Sequence, residues 1–280
     1  MTNSDEQRND AELSGKIKPA DIRNLRAKGA IHQLNFSELP TLTVKLAQAL
    51  PALQSVENLW LWCDVTRKAM QHVIKIPGLR VLDILAIEGP GKLPGFADAS
   101  SLEIFRANFY LSEEDVTAVL QAPSLIELGM QGATLSPHII DMMLAHPHLA
   151  ALDMESTEFD DAMALTLSAS KKIHSLDIGA TKITGTGLAH LTRMTQLKSL
   201  DLWATQVTIA DLDLLTQLPQ LEYLSLGNFD DMPSLDAAEL IPRLEALPAL
   251  NNIWLDGIKF DEQQAARLRT RVARVNITCA

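Results

Sequence analysis

Cysteine is nearly absent: Cys63 and Cys279 are the only two in 280 residues and stand almost a chain length apart. That spacing gives neither a disulfide framework nor paired metal ligands. Positive charge is scarce as well, since 24 Lys and Arg against 35 Asp and Glu leave a formal charge of −11. Such a surface opposes nonspecific attraction to nucleic acid and to anionic membrane, so neither is an expected partner and a protein or peptide with a basic patch fits better. No apolar run approaches a membrane span, and residues 1–15, MTNSDEQRNDAELSG, lack the apolar stretch of a signal peptide. The expectation is a cytoplasmic protein whose N-terminal fifteen residues are disordered.

Chemistry-bearing motifs are missing too. There is no nucleophile elbow, phosphate loop or zinc-binding helix motif, so no catalytic residue, cofactor, metal or small-molecule ligand is expected. His138, His146 and His148 lack the spacing of a metal site and read as surface residues. His174 stands three residues before Asp177, which on a strand sends the two side chains to opposite faces rather than into one acid–base pair.

Hydrophobic residues make up 47% of the chain, and they recur. The pattern L-x-x-L-x-L starts at Ile31, Val56, Leu79, Leu102, Leu125, Leu149, Ile173, Leu197, Leu221 and Leu250, a period of 23 to 25 residues until the last step of 29. In Leu197-Lys198-Ser199-Leu200-Asp201-Leu202 the alternation of a strand turns Leu200 and Leu202 inward, with Leu197, and Ser199 and Asp201 outward. A unit this small buries its apolar row only when stacked on copies of itself. Helices are signalled after the strands by Ser112 with Asp115, Thr208 with Asp211, Asp261 with Gln264, and Ser136 before Pro137. Gly89, Pro90, Gly91, Pro94 and Gly95 argue against a helix in residues 85–101, and Pro242 is expected to bend or break one in the longer ninth repeat.

The stretch IHSLDIGATKITGTGLAHLTRMTQ, followed by LKSLDLWATQVTIADLDLLTQLPQ, resembles the bacterial leucine-rich repeats of pattern LxxLDLxxTxITxxGLxxLxxLxx, and the likeness extends over about residues 31–280. The resemblance implies an α/β fold: a right-handed solenoid, or horseshoe, with a concave parallel sheet, convex helices and turns, and a binding role. Where many such repeats carry a buried asparagine, Thr157, Thr181 and Thr205 stand here as structural residues. The expected layout is one domain over 16–280: an N-terminal cap at 16–30 with Ile22 and Leu25, ten repeats over 31–260, and a C-terminal cap at 261–280. That last cap is read as a helix over 261–274 carrying Arg267, Arg269, Arg271 and Arg274, then a closing strand toward Cys279. Relatives that act as ubiquitin ligases carry a cysteine nucleophile in an additional C-terminal domain; Cys279 is penultimate here, so autonomous ligase activity is not expected.

In this register the second, third, fifth, seventh and eighth positions lie on or beside the concave face. All four tryptophans fall there: Trp60 and Trp254 at fifth positions, Trp62 and Trp203 at seventh, with Tyr223 at a third and Phe109 at an eighth. Tryptophan is enriched at binding hot spots, though aromatics also suit strands. Acidic residues join them, Asp83, Glu127, Asp153, Glu155, Asp177, Asp201 and Asp256, with Arg106 among them. A row of like charges about 4.8 Å apart is a cost that a basic ligand would relieve; alternatively, L-D-L is only the repeat's habit. Asp201→Ala is accordingly expected to be nearly neutral or stabilising for folding. The function expected is non-catalytic partner binding on the concave face. Immunity or antitoxin proteins, effectors or adaptors that sequester a partner, and a self-associating scaffold are the alternatives.

Overall fold

A computed structural model describes residues 9–108, 110–228 and 235–278, in two compact units, Met1–Met130 and Gln131–Ala280. In the first unit come β1 (Asp10–Ser14), α1 (Pro19–Asn24), β2 (Ala30–Ser37), β3 (Thr41–Leu42), α2 (Val44–Ala47), β4 (Ser55–Thr66), α3 (Arg67–Val73), β5 (Val81–Glu88), β6 (Ile104–Ala107), α4 (Glu113–Val119) and β7 (Glu127–Met130). The strands run parallel in the order β1-β2-β4-β5-β6-β7, with β3 beside β4. The second unit has α5 (Pro137–Ala145), β8 (Ala151–Asp153), α6 (Asp161–Leu167), β9 (Ser175–Asp177), α7 (Gly185–Leu191), β10 (Ser199–Asp201), a 3-10 helix (Ile209–Gln217), β11 (Tyr223–Gly227), α8 (Ala237–Glu245), β12 (Asn252–Asp256), α9 (Glu262–Arg271) and β13 (Arg274–Thr278). Its strands pair in parallel from β8 through to β13 in chain order.

This is an α/β leucine-rich repeat fold, one parallel strand per repeat, and the apolar register of the sequence builds it. Leu176, Leu200 and Leu224 align across β9, β10 and β11, and Leu197, Leu200 and Leu202 are all buried. Each such side chain contributes about 1.5–3 kcal/mol of burial. After the strand, Thr157, Thr181 and Thr205 are buried, and their hydroxyls donate to the carbonyls of Met154, Ile178 and Leu202 at 2.7, 2.6 and 2.9 Å. A buried hydroxyl is thereby satisfied while it closes the turn. Ser156, Ala180 and Ala204, at the eighth position, take left-handed φ values of 59, 51 and 52°.

The three capping boxes form, at Ser112 with Asp115, Thr208 with Asp211 and Asp261 with Gln264; Ser136 is an N-cap followed by Pro137. Residues 89–103 hold no helix. Two devices fill in for it: Phe96 is buried edge-on against Phe105 at 5.6 Å, and Arg67 on α3 reaches Asp115 on α4 at 2.6 Å while donating to Gly89 O. Burial works against the Asp115 charge, but Arg67 and Ser112 hold its carboxyl below the usual range.

Several expectations are corrected. Residues 10–14 form β1, because Asp10–Ser14 finds a register with Gln33–Ser37 and so satisfies its backbone; residues 1–8 lie outside the described residues. Arg274 opens β13 instead of ending the helix, which stops at Arg271. Pro242 does not break α8, which continues through it to Glu245, anchored by the Asp236 carboxylate on Ala238 and Glu239 N–H at 2.8 and 3.1 Å. His146 is buried, and its carbonyl accepts from the Lys172 ammonium. Phe109 and Cys279 lie outside the described residues. Cys63 is buried, which pushes its thiol up to about 11 and makes it a poor nucleophile.

Candidate functional site

Strand alternation sends the fourth and sixth residues of each repeat inward and the fifth and seventh to the face away from the helices. In the second unit the fifth positions read Asp153, Asp177, Asp201, Ser225 and Trp254, in register from β8 to β12. The seventh read Glu155, Gly179, Trp203, Gly227 and Asp256. The three aspartates are half-buried rather than exposed as the sequence suggested, because each turns an oxygen back to its own backbone. Asp153, Asp177 and Asp201 accept from the N–H of Glu155, Gly179 and Trp203 at 3.1, 3.0 and 2.8 Å. That bond steadies the chain as it leaves the strand for the left-handed turn. It gives L-D-L a structural role, and Asp201→Ala therefore removes a hydrogen bond.

The same residues also enclose space. A recess of about 210 Å³ is lined by Glu155, Asp177, Gly179, Asp201, Trp203, Tyr223, Ser225, Trp254 and Asp256. It exists because two seventh positions lack side chains. A Cβ at Gly227 would stand 2.7 Å from Trp203 Cδ1, so glycine lets the indole cross β11. There its Nε1–H donates to Asp256 Oδ2 at 3.1 Å, two strands away. A Cβ at Gly179 would lie 3.3 Å from Asp177 Oδ1, 3.4 Å from Trp203 O and 3.5 Å from Asp201 Oδ1, so the space between Glu155 and Trp203 stays open.

The walls are acidic and only partly wet. Burial, with Asp201 beside it, pushes the Asp177 carboxyl up to about 7. Burial also raises Asp201, against the Trp203 N–H and Ser225 bonds, and raises Glu155, with Asp153 and Asp201 adding to it. Among the described residues no Lys or Arg is bonded to Glu155, Asp177 or Asp201. Gln131 Nε2 donates to Asp153 Oδ2 and Glu155 Oε2 at 3.1 and 3.0 Å. Oxygens of Asp153, Glu155 and Asp177 lie within 4.8 Å of one another, an arrangement that hard cations accept.

Seven of the residues singled out from sequence thus share this place: Glu155, Asp177, Asp201, Trp203, Tyr223, Trp254 and Asp256, with Asp153 adjoining. The others belong to the first unit. There Trp60 and Trp62 meet edge-on at 6.3 Å, with Trp62 54% exposed, where β4 shifts register against β5. Arg106 lies over Gly129 and pairs with Glu127 at 2.6 Å and Asp83 at 3.9 Å. Gly179, Gly227 and Ser225 were missed. The available signal was a seventh position without a side chain on either side of a tryptophan.

No protein-family model matches the chain, and no curated protein does. Solved structures of leucine-rich repeat proteins do resemble it. An internalin from Listeria monocytogenes is similar over 98% of this chain and 83% of its own, with 16% identity and a TM-score of 0.54. The crystal structure of the TLR13-ssRNA13 complex is similar over 89% of this chain, with 19% identity and a TM-score of 0.51. This chain spans 36% of that one. At such identity the likeness concerns the fold. No helix among the described residues is long and apolar enough to cross a membrane.

Proposed function

We propose that this chain is a non-catalytic binding module that holds a protein or peptide carrying basic residues on the sheet face of its repeats. The observation that carries the reading is the second unit's face, where Trp203, Tyr223 and Trp254 stand among carboxylates without a bonded Lys or Arg among the described residues. Aromatic side chains supply contact area at hot spots, and uncompensated charge steers and orients an oppositely charged partner. The −11 charge disfavours a polyanion such as the RNA named with TLR13. Sequestration of a partner by an immunity, effector or adaptor protein would use the same face.

Capture from lysate tests this by comparing the wild type with Trp203→Ala plus Trp254→Ala, and with Lys182→Ala on the helical side as control. Loss of the captured partner in the tryptophan variant, with retention in the control, is the expected result. Equal capture by all three overturns the reading. Trp62 and Trp254, exposed at 54% and 42%, also favour self-association. A solution mass above that of one chain, falling with Trp203→Ala, would mark that alternative.

A further inference from the structure

Resting on the binding-module reading, we infer that the recess over Gly179 is a socket for one cationic side chain, a lysine or arginine, projecting from the bound partner. Three features of its construction point there. The first is size: about 210 Å³ is below the roughly 300–1,000 Å³ of pockets that enclose drug-sized ligands, and suits a single long side chain entering from the open face.

The second is the wall. The Trp203 indole is held by Asp256 across the gap left by Gly227, so it is a fixed surface and not a mobile cover. A fixed aromatic surface takes the alkyl stem of lysine or arginine and attracts the cationic head. The third is the floor. Asp177 commits one oxygen to a backbone N–H, and Asp201 holds the Trp203 N–H together with the Ser225 side chain, while the recess wall includes both residues and Glu155. Donor groups suit this cluster: next to it, the Gln131 side-chain amide already spans Asp153 and Glu155. A protonated amine or guanidinium would bring the same donors together with the missing charge. The first unit shows the complementary arrangement within this same chain, with the Arg106 side chain lying over Gly129 onto Glu127.

The test uses the whole chain and three acetylated, amidated heptapeptides, Gly-Ser-Gly-X-Gly-Ser-Gly, with X lysine, arginine or norleucine. Binding is read from the indole Nε1–H signals of Trp203 and Trp254 in NMR titrations. The lysine and arginine peptides are expected to shift both signals saturably. Norleucine, which keeps the alkyl stem without the charge, is expected to bind about tenfold or more weakly. Gly179→Leu fills the recess and should abolish the shifts. Asp177→Asn with Asp201→Asn retains the backbone acceptors and should weaken the lysine peptide about tenfold or more.

The inference is overturned if norleucine matches lysine, if no peptide shifts the indoles, or if both variants bind the lysine peptide as wild type does. It is also overturned if calcium chloride alone gives the same shifts at lower concentration and blocks the peptide, since the recess would then be a metal site. In each of these cases partner capture that still depends on Trp203 and Trp254 leaves the binding-module reading standing. Capture indifferent to those tryptophans removes that reading, whatever the peptides do.

Discussion

In the first unit Arg106 stands between Asp83 and Glu127, and Arg80 between Glu57 and Glu103 at 2.6 Å from each. The His32 hydrogen bond, with Arg80 adding to it, holds the Glu57 carboxyl below its usual range. In the second unit Glu155, Asp177 and Asp201 lie among one another on the same kind of strand surface, with no Lys or Arg bonded to them among the described residues. The strands of both units rest on similar rows of buried leucine, so the leucine core does not decide how the outward face is charged. Pairing neighbouring carboxylates with arginine was open to this fold, since the first unit does it. The second unit instead retains a repulsion that arginine could have relieved, and the binding role proposed above would make use of it.

The largest expected effect tests whether the two cores are alike. Leu82→Ala in the first unit and Leu200→Ala in the second should each cost about 2–5 kcal/mol in urea denaturation. A cost near zero for either would break the shared register on which the comparison rests.

A smaller effect tests the uncompensated face. The folded chain holds the Asp177 proton up to about 7, against an ordinary value of 3.8. Ionisation therefore opposes folding as pH rises between those values, and the full penalty is present above 7. Asp153 and Glu155 on one side, and Asp201 and Tyr223 on the other, face this carboxyl and carry no positive charge. Asp177→Asn should then stabilise the protein by on the order of 1–2 kcal/mol at pH 8, after discounting for the part still in water, and by much less at pH 4. Equal effects at both pH values in thermal melts would show that the carboxylate is not strained by its surroundings.

Arg106→Ala makes the first unit resemble the second. It should cost about 1 kcal/mol at pH 7, the pair being partly exposed, and less at pH 4, because burial raises the Asp83 carboxyl and brings it closer to neutral there. No difference between the two pH values would mean that Arg106 acts through packing alone. The smallest effect concerns the turn that follows β9. Ala180 holds a left-handed φ of 51°, and Ala180→Gly should stabilise by roughly 0.5–1 kcal/mol, less strain being partly offset by a more flexible unfolded chain. A loss of stability there would show that the Ala180 methyl contributes packing that outweighs its backbone strain.

The repeat was legible from sequence because it is local arithmetic. Leucines at the first, fourth and sixth positions, threonine after the strand, and paired Ser, Thr or Asp caps each act within a few residues of where they stand, so Leu200, Thr181 and Asp261 were placed correctly. The same arithmetic put Asp177, Asp201 and Trp203 on one outward face. Three-dimensional packing decided what that face does with them. Strand pairing makes neighbours of residues about a repeat or more apart: Trp203 reaches Asp256 across 53 residues, and Arg67 reaches Asp115 across 48. The recess depends on what is missing at Gly179 and Gly227, and a missing side chain becomes a cavity only when its neighbours are in place. The unusual proton affinity of Asp177 likewise comes from burial and from the charges on adjacent strands, and no reading of its own repeat could contain them.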